Sequence, residues 1–361
     1  MNYQSWHGLN NPNFGYGSML QGFLSTTPQT VSLNDKASVN VFMGVPSGIK
    51  GWYEGQHRVL FSMWETDTLP NSFTRWLSQY DQILVPCKHN VDLFSQHHPN
   101  VGYVPLGVDR SFWKPEPITR TGVYRFHAGG SLWGRKGLDV VVKAFNKLKL
   151  PNAELHIKAA PHVRDVPTEK LGENIYLHRE WMTVDQQKDW FNQADCFIEA
   201  SRGEGFGLMP LQAISLGIPT IVSDSTGQSQ FSHLASGVVP CAKSKAETIG
   251  LWDEPNLDSL CELMLEHYRD REGKHIQACA TASKAEQFSW KKATAKLIKA
   301  VPEGTLLKTD TWLTPVINVN VTLNRNLNCD IGRESFKFLK GVTYEVSENV
   351  YEVLSNAKVL A

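Results

Sequence analysis

The sequence predicts an α/β protein with two domains built on parallel sheets, followed by a small β-rich segment. The chain has 361 residues, which exceeds two typical domains of ~150 residues. After residue 123, short apolar runs alternate with stretches of helical spacing, a pattern typical of a parallel sheet covered on both faces. Beyond residue 302 apolar residues recur with period two, which indicates antiparallel strands. We therefore predict domains at 1–113, 114–301 and 302–361.

The charge balance narrows the classes of function. Lys and Arg total 36 and Asp and Glu total 36, so the formal net charge is zero and the pI is near 7.2. A protein that binds a polyanion over much of its surface normally carries a basic surplus, so this class is disfavoured, whereas a local basic groove is not. The 41% of hydrophobic residues is enough for a sizeable core.

The sequence predicts a cytoplasmic protein. The segment 1–21 lacks the basic region and the long apolar stretch of a secretory signal. We expect no transmembrane helix, because no run of about 18 apolar residues occurs. The six cysteines are scattered, without a CxxC pair or a zinc-ligand cluster, which is typical of reduced thiols.

Strands and helices are predicted from the spacing of apolar residues. The first domain is predicted to contain strands at 38–43, 58–63 and 82–86 and a helix at 72–80. Prolines in the stretch 114–117 disfavour a helix and indicate an interdomain linker. The second domain is predicted to contain strands at 124–127, 154–158, 175–177, 196–199 and 219–222, and helices at 138–148, 184–192 and 210–216. The last segment is predicted to contain strands at 315–322 and 336–338 and a helix at 348–356.

The strongest signal for chemistry is the glycine-rich stretch 201–213. The preceding strand ends at Ala200, and a helix opens near Pro210, a residue favoured in a first turn. Glycines between them let the backbone approach a ligand closely, and the helix N-terminus offers N–H groups to an anion such as a diphosphate. Glu204 could accept hydrogen bonds from hydroxyl groups, and Gln212 would face the same crevice. The alternative is a strand–helix turn that binds no ligand.

A second stretch, 127–138, has the same order of strand, glycines and helix. Arg135 and Lys136 precede its helix. Room at the backbone together with positive charge suits a diphosphate. The alternative is an ordinary solvated face, where adjacent basic residues are also common.

These two stretches resemble the retaining GT-B glycosyltransferases of the family 4-like, group 1 kind. In that family the second domain carries two glutamates, separated by seven residues, in a glycine-rich frame. Here the frame reads EGFGLMPLQAISLGIPTI over residues 204–221, with Gln212 in the place of the second glutamate. The resemblance covers roughly residues 8 to 300. It implies the GT-B fold, in which two Rossmann-like domains face each other across a cleft.

The resemblance implies roles for the residues of the glycine-rich frame. Glu204 would contact hydroxyl groups of the donor sugar, and Gln212 would hold the ribose of the nucleotide. A neutral amide still bonds a ribose hydroxyl but gives up about 1 kcal/mol of charge-assisted strength. The other donor-binding residues implied by the frame are Gly205, Phe206, Gly207 and Leu208.

The family clamps the donor diphosphate with a lysine and an arginine. Lys136 matches the lysine, but the position of the arginine is occupied by Gly130. Either Arg135 or a hydrogen bond from Ser131 would then replace the arginine. His127, at the strand end, is either a hydrogen-bonding group of the donor site or a structural residue.

The N-terminal half also resembles the family at two places. Gly15 and Gly17 resemble the glycine loop that faces the donor phosphates and the acceptor. The segment 63–70 resembles one that follows a strand at the inner cleft, where Glu65 or Asp67 would position or deprotonate the acceptor hydroxyl. The alternative role for these acidic residues is a helix cap.

The sequence thus predicts a retaining hexosyltransferase-type glycosyltransferase. By the resemblance, it moves a sugar from a UDP- or GDP-sugar, used as co-substrate, to an acceptor hydroxyl. No DxD motif is present, so we expect neither a metal nor another cofactor. The expected acceptor is a glycan, a protein or, since the last segment has the look of small phage modules, a hydroxymethylated DNA base. The alternatives are a GT-B sugar-nucleotide epimerase or phosphorylase and a non-catalytic GT-B binding protein. The sequence does not indicate an oligomeric state.

Overall fold

Two six-stranded parallel sheets form the framework of the protein. The computed structural model describes residues 4–8, 15–28, 31–33, 37–46, 56–117, 122–130, 134–159, 171–304, 318–331, 334–347 and 354. The predicted α/β class with two Rossmann-like domains is confirmed.

The first sheet is built from the N-terminal residues. Its strands are β1 (Gln4–Gly8), β2 (Val31–Leu33), β3 (Val39–Met43), β4 (His57–Phe61), β5 (Gln82–Val85) and β6 (Val101–Tyr103). They are parallel and lie in the order β2-β1-β3-β4-β5-β6. The helices of this part are α1 (Gly15–Leu24), α2 (Asn71–Leu77) and α3 (Lys88–Phe94). The strands are rich in buried apolar residues because helices cover the sheet.

The second sheet repeats this architecture. Its strands are β7 (Tyr124–Gly130), β8 (Ala153–Ala159), β9 (Ile175–His178), β10 (Cys196–Glu199), β11 (Thr220–Ser223) and β12 (Gly237–Val239). They are parallel and lie in the order β12-β11-β10-β7-β8-β9. The strand order reverses between β7 and β10, so the chain leaves these two neighbours in opposite directions. Such a reversal opens a crevice at the carboxyl ends of the strands, where ligands of open α/β sheets bind.

Helices and a hairpin complete the second domain. The helices are α4 (Leu138–Leu148), α5 (Val184–Asn192), α6 (Leu208–Ser215), α7 (Leu257–Arg269), α8 (Arg271–Ala282) and α9 (Trp290–Ala300). The hairpin consists of β13 (Cys241–Lys245) and β14 (Leu251–Pro255). The predicted bounds of α4, α5 and β10 are confirmed. The helix predicted from residue 210 begins two residues earlier, because Gly207 adopts a left-handed φ of 101° as its N-cap.

The chain crosses between the two domains twice, and backbone hydrogen bonds join the two crossing segments. The Val108 N–H donates to the Phe288 carbonyl at 2.8 Å, and the Trp290 N–H donates to the Val108 carbonyl at 3.4 Å. A Cβ on Gly107 would come within 2.4 Å of the Trp290 nitrogen, so only glycine allows this approach. The predicted linker 114–117 follows the first crossing and contains neither helix nor strand.

After the second crossing, α9 packs on the first domain. The Trp290 ring lies 5.2 Å from the Phe23 ring, in an edge contact of a kind worth about 0.5–1.5 kcal/mol beyond area burial. Thr294 and Thr26 share a hydroxyl hydrogen bond of 2.6 Å. The domain bounds stay a prediction, but α9, which the sequence placed in 114–301, contacts the N-terminal helix α1.

The last segment contains β-strands, as the sequence predicts. Strand β15 (Asn318–Thr322) pairs antiparallel with β18 (Thr343–Ser347), and β16 (Leu327–Ile331) pairs with β17 (Glu334–Phe338). Most of the helix predicted at 348–356, and the start of the strand predicted at 315–322, lie outside the described residues. Within the described ranges, no helix combines the length and apolar composition needed to cross a membrane.

Candidate active site

The two stretches singled out in the sequence meet at the carboxyl ends of β7 and β10. Arg135 and Lys136 lie in the turn before α4, and Glu204 lies in the loop between β10 and α6. This is the point at which the strand order of the second sheet reverses. The site therefore occupies the crevice that the topology predicts.

Five charged side chains form one group, here named the glutamate–cation cluster: Glu65, Arg135, Lys136, Glu199 and Glu204. The Lys136 ammonium lies 3.0 Å from Glu199 Oε1 and 2.9 Å from Glu204 Oε1. Arg135 Nη1 lies 3.2 Å from Glu204 Oε1 and 3.8 Å from Glu65 Oε1. The cluster thus joins three segments of the second domain to one segment of the first.

The backbone around the cluster is fixed by close contacts. Gly137, the N-cap of α4, has a φ of 63°, and a Cβ on it would lie 1.8 Å from the Ala200 carbonyl oxygen. The Arg202 N–H donates to the Arg135 carbonyl at 2.8 Å. The Arg202 guanidinium also binds both oxygens of Asp139, at 2.7 and 3.0 Å. The turn that carries the cations is therefore held against the loop that carries Glu204.

Burial and mutual charge set the ionisation of the cluster. Burial alone would raise the pKa of Glu204, but Lys136 and Arg135 outweigh burial and hold this pKa below its usual value. For Glu65, burial outweighs the attraction of Arg135 and raises the pKa. For Lys136, the two buried glutamates outweigh the burial penalty and raise the pKa. Near neutral pH, Lys136 is therefore charged and Glu204 is a carboxylate.

Two of the loop glycines contact the first domain. A Cβ on Gly203 would lie 2.1 Å from the Glu65 carbonyl oxygen, and a Cβ on Gly205 would lie 2.2 Å from the Met63 sulfur. The sequence interpretation assigned the loop glycines to a close approach of ligand. In the structure, Gly203 and Gly205 allow the close approach of the first domain, which brings Glu65 to the cluster. The predicted donor-binding role of Gly205 stays a prediction.

Gly130 makes room for Lys136. A Cβ on Gly130 would lie 2.4 Å from Lys136 Cγ, so the lysine stem lies over the glycine backbone. The space that an arginine at position 130 would need is thus filled by Lys136, and Arg135 supplies the second cation of the cluster. Of the two predicted replacements for the arginine, Arg135 lies at Glu204, whereas Ser131 is outside the described residues.

We expect Gly130→Ala to displace Lys136 and to weaken binding of nucleoside diphosphates about tenfold or more, since a hydrogen bond to a charged group is worth about 1.5–3 kcal/mol. Quenching of tryptophan fluorescence on titration with UDP or GDP measures this change. The matched control is Gly44→Ala, because a Cβ on Gly44 meets no atom within 4 Å. Equal affinities in the two variants would contradict the packing argument.

Gln212 lies on α6 and is held by a neighbouring helix. Gln187 Nε2 on α5 donates to Gln212 Oε1 at 2.9 Å. Leu208 is the first residue of α6, and Gly207 is its N-cap. Phe206 is buried, with its ring 5.5 Å from the Phe231 ring, so it anchors the loop in the core.

His127 lies within the packing of the second sheet. Its side chain is fully buried, and its ring lies 4.4 Å from the Trp190 ring of α5 and 5.1 Å from the His156 ring. Of its two predicted roles, this position is that of a core residue. The donor-site role stays a prediction.

The structure separates the two acidic candidates of the first domain. Glu65 reaches the cluster, whereas Asp67 Oδ1 accepts from the Leu251 N–H at 2.7 Å and from the Thr68 hydroxyl at 2.9 Å. Asp67 therefore ties the first domain to the β13–β14 hairpin. Its predicted role toward the acceptor stays a prediction.

Gly15 and Gly17 lie in the first turn of α1, rather than in a loop before the helix. Gly17 is buried, and a Cβ on Gly15 would meet no atom within 4 Å. Between them Tyr16 places its hydroxyl 3.2 Å from both the Ser62 hydroxyl and the Met63 carbonyl. This contact holds the N-terminal end of α1 next to the segment that carries Glu65.

Glu199 and Tyr16 were missed by the sequence reasoning. Glu199 ends the apolar run of β10, and an acidic residue in a fully buried strand is the signal that could have identified it. Tyr16 carried no signal beyond its place between two glycines.

A separate cavity of about 380 Å³ lies between the turn before α4 and the β13–β14 hairpin. Its lining includes Asp139, Arg202 and Trp252, but not Lys136 or Glu204. We place the candidate site at the cluster because the uncommon buried charges are there. Among the described residues, no three His, Cys, Asp or Glu side chains are arranged to hold a metal ion.

Comparison with known proteins finds a family that matches part of the second domain. Residues 125–249 match the family described as Glycosyl transferases group 1. The O-antigen biosynthesis glycosyltransferase WclY of Escherichia coli is 33% identical over 97 residues, which are 26% of this chain and 27% of that protein. The D-inositol 3-phosphate glycosyltransferase of Paenarthrobacter aurescens (strain TC1) is 22% identical over 222 residues, covering 56% of this chain and 52% of that protein. The chain therefore spans about a quarter and about half of the length of these two relatives.

Solved structures show the same fold over most of the chain. WaaG, a glycosyltransferase involved in lipopolysaccharide biosynthesis, is 16% identical with a TM-score of 0.59, covering 81% of this chain and 99% of that one. Anabaena HepE, solved with UDP and glucose, is 10% identical with a TM-score of 0.60, covering 83% and 98%. The protein thus has the GT-B fold. More particularly, its residues 125–249 match the family of glycosyl transferases group 1, which confirms the resemblance to that group inferred from the frame around Glu204.

Proposed function

We propose that the protein transfers a sugar, with retention, from a nucleotide diphosphate sugar to the hydroxyl of a saccharide acceptor. The observation that supports this most directly is the buried contact of Lys136 and Arg135 with Glu204 at the carboxyl ends of β7 and β10. The curated relatives include an O-antigen biosynthesis glycosyltransferase and a lipopolysaccharide core mannosyltransferase, which favours a glycan over a protein or a modified DNA base as acceptor.

The cations of the cluster would hold the diphosphate of the donor. An ammonium has three N–H donors, and two of those on Lys136 are directed to Glu199 and Glu204 among the described residues. The third would bind a phosphate oxygen. Helix α6 begins at Leu208, four residues after Glu204, and the N–H groups of its first turn would add to the stabilisation of the leaving diphosphate.

The carboxylates of the cluster would bind and activate the sugar partners. Glu204 is ionised and is fixed by Ser201, whose hydroxyl donates to it at 2.7 Å, so it would accept hydrogen bonds from donor hydroxyls. Glu65 lies on the opposite domain, and its raised pKa brings it closer to that of an effective base near neutral pH. It would orient the acceptor hydroxyl for attack on the face from which the diphosphate departs.

The test is incubation with a panel of UDP-, GDP-, ADP- and TDP-sugars and saccharide acceptors, followed by mass spectrometry of the acceptors. We expect one donor to give a mass increase of one sugar and release of the nucleoside diphosphate. Parallel reactions with protein and with hydroxymethylated DNA test the other predicted acceptors. Calorimetry with the same donors is the control for a binding protein: tight binding without transfer or hydrolysis would favour the non-catalytic alternative, and no binding would refute the donor site.

A further inference from the structure

Glu199 is the member of the cluster that the proposed transfer does not use. It ends β10 with no solvent-exposed surface on its side chain. Its Oε1 atom accepts from Lys136 at 3.0 Å, while its buried Oε2 atom has no hydrogen-bond partner among the described residues. A buried carboxylate oxygen without a donor is costly. Protonation removes the buried negative charge and so lowers this cost, which makes Glu199 the site in the cluster best able to hold a proton.

The charged groups around Glu199 come from every element that packs on it. The turn before α4 contributes Lys136 and Arg135, and the loop after β10 contributes Glu204. On the neighbouring strand β7, Ala128 pairs with Ile198, so Gly129 lies beside Glu199. His127 lies two residues before Gly129 on that strand. The first domain contributes Glu65, whose carboxylate lies 3.8 Å from Arg135 Nη1. Burial outweighs the attraction of Lys136 and raises the pKa of Glu199 to about 7.

A diphosphate bound at Lys136 would change this balance. It would add negative charge next to Glu199 and Glu204 and would compete for the same ammonium. Glu204 keeps hydrogen bonds from Ser201 and Arg135 that favour its charged form, whereas Glu199 has Lys136 alone among the described donors. Protonating Glu199 therefore offsets the added negative charge and gives up fewer favourable hydrogen bonds than protonating Glu204 would.

We propose that Glu199 is a positioning residue for Lys136 that takes up one proton from solvent when the donor diphosphate binds. The inference rests on the proposed function, because it requires that the diphosphate binds at Lys136. Proton uptake on binding means that affinity falls as pH rises, by up to about tenfold per pH unit for one proton.

The experiment is isothermal titration of the full chain with UDP-glucose and GDP-mannose, whose diphosphate diesters carry no phosphate that titrates near neutral pH. At about pH 8, titrations in buffers of different ionisation enthalpy give the number of protons taken up, expected to be about one for the wild type. We expect Glu199→Gln to take up about none and to bind with a nearly flat pH profile. The matched control Glu262→Gln, on the exposed face of α7, should behave as the wild type.

The outcomes separate this inference from the proposed function. Binding by the wild type without proton uptake, or equal uptake by wild type and Glu199→Gln, would overturn the inference and leave the donor site standing. Absence of binding by the whole nucleotide-sugar panel would overturn the donor site and the inference with it. If Glu199→Gln does not fold, Glu199→Asp serves as the second variant. Its carboxyl lies farther from Lys136, so the pH at which affinity begins to fall should shift, and a pH profile identical to that of the wild type would again overturn the inference.

Discussion

Glu204→Gln is expected to lower kcat/KM of sugar transfer by about 10- to 150-fold, which corresponds to about 1.5–3 kcal/mol for a lost charged hydrogen bond. The amide has nearly the same size, so the loop packing is preserved. It loses the negative charge that Lys136 and Arg135 now stabilise at 2.9 and 3.2 Å. Initial rates with the best donor found for the wild type measure the effect.

The matched control for this substitution is Glu262→Gln on the exposed face of α7, which should keep the wild-type rate. Thermal unfolding of both variants separates a loss of chemistry from a loss of fold. Wild-type transfer by a folded Glu204→Gln protein would refute the assignment of Glu204 to the donor sugar.

Lys136→Met is expected to abolish measurable binding of nucleoside diphosphates and to destabilise the protein by about 3–5 kcal/mol, the usual cost of removing one partner of a buried ion pair. The methionine fills a similar volume over Gly130, but Glu199 and Glu204 lose their shared cation. Calorimetric titration measures binding, and chemical denaturation measures the free energy of unfolding. Lys147→Met is the control, because Lys147 pairs with Asp258 on the surface, where ion pairs contribute about 0–1 kcal/mol.

The same variant should also change the pH dependence of stability. Without Lys136, burial raises the pKa of Glu199 further above its unfolded value. An acid whose pKa is raised on folding binds more protons in the native state, so its stability contribution is lost as pH rises above the unfolded pKa. The free energy of unfolding should therefore fall with similar slopes in both proteins up to about pH 7, the pKa of Glu199 in the wild type. Above that pH it should keep falling in Lys136→Met where that of the wild type levels off. Parallel slopes above that pH would contradict the burial argument for Glu199.

Much of the second domain could be predicted because its strands carry a local signal. The run that became β10 is apolar on both faces, and α5 begins at Thr183 with a capping box that the adjacent residues define. Arg135, Lys136 and Glu204 lie beside glycines at strand ends, so both local spacing and the family resemblance pointed to them.

The remaining features depend on contacts between distant residues. The charge of Glu199 is visible in the sequence, but its pairing with Lys136 depends on the neighbouring strands β7 and β10. The contacts of Gly203 and Gly205 with Glu65 and Met63 could not be predicted, because these residues lie about 140 positions apart in the sequence. The return of α9 to the first domain likewise depends on a packing surface around Phe23 that lies more than two hundred residues away.

The paired crossings at Val108 and Phe288 have a mechanical consequence. A single connection would let one domain swivel about its own axis, whereas two parallel connections bonded to each other resist torsion and allow mainly bending about one line. Glu65 approaches Arg135 from across the cleft, so bending about that line would open and close the cluster along one path. The tie between Asp67 and Leu251 forms a second contact that must break during opening. The two bonded crossings thus form a hinge between the domains, and the hydrogen bond of Asp67 to Leu251 stabilises the closed arrangement.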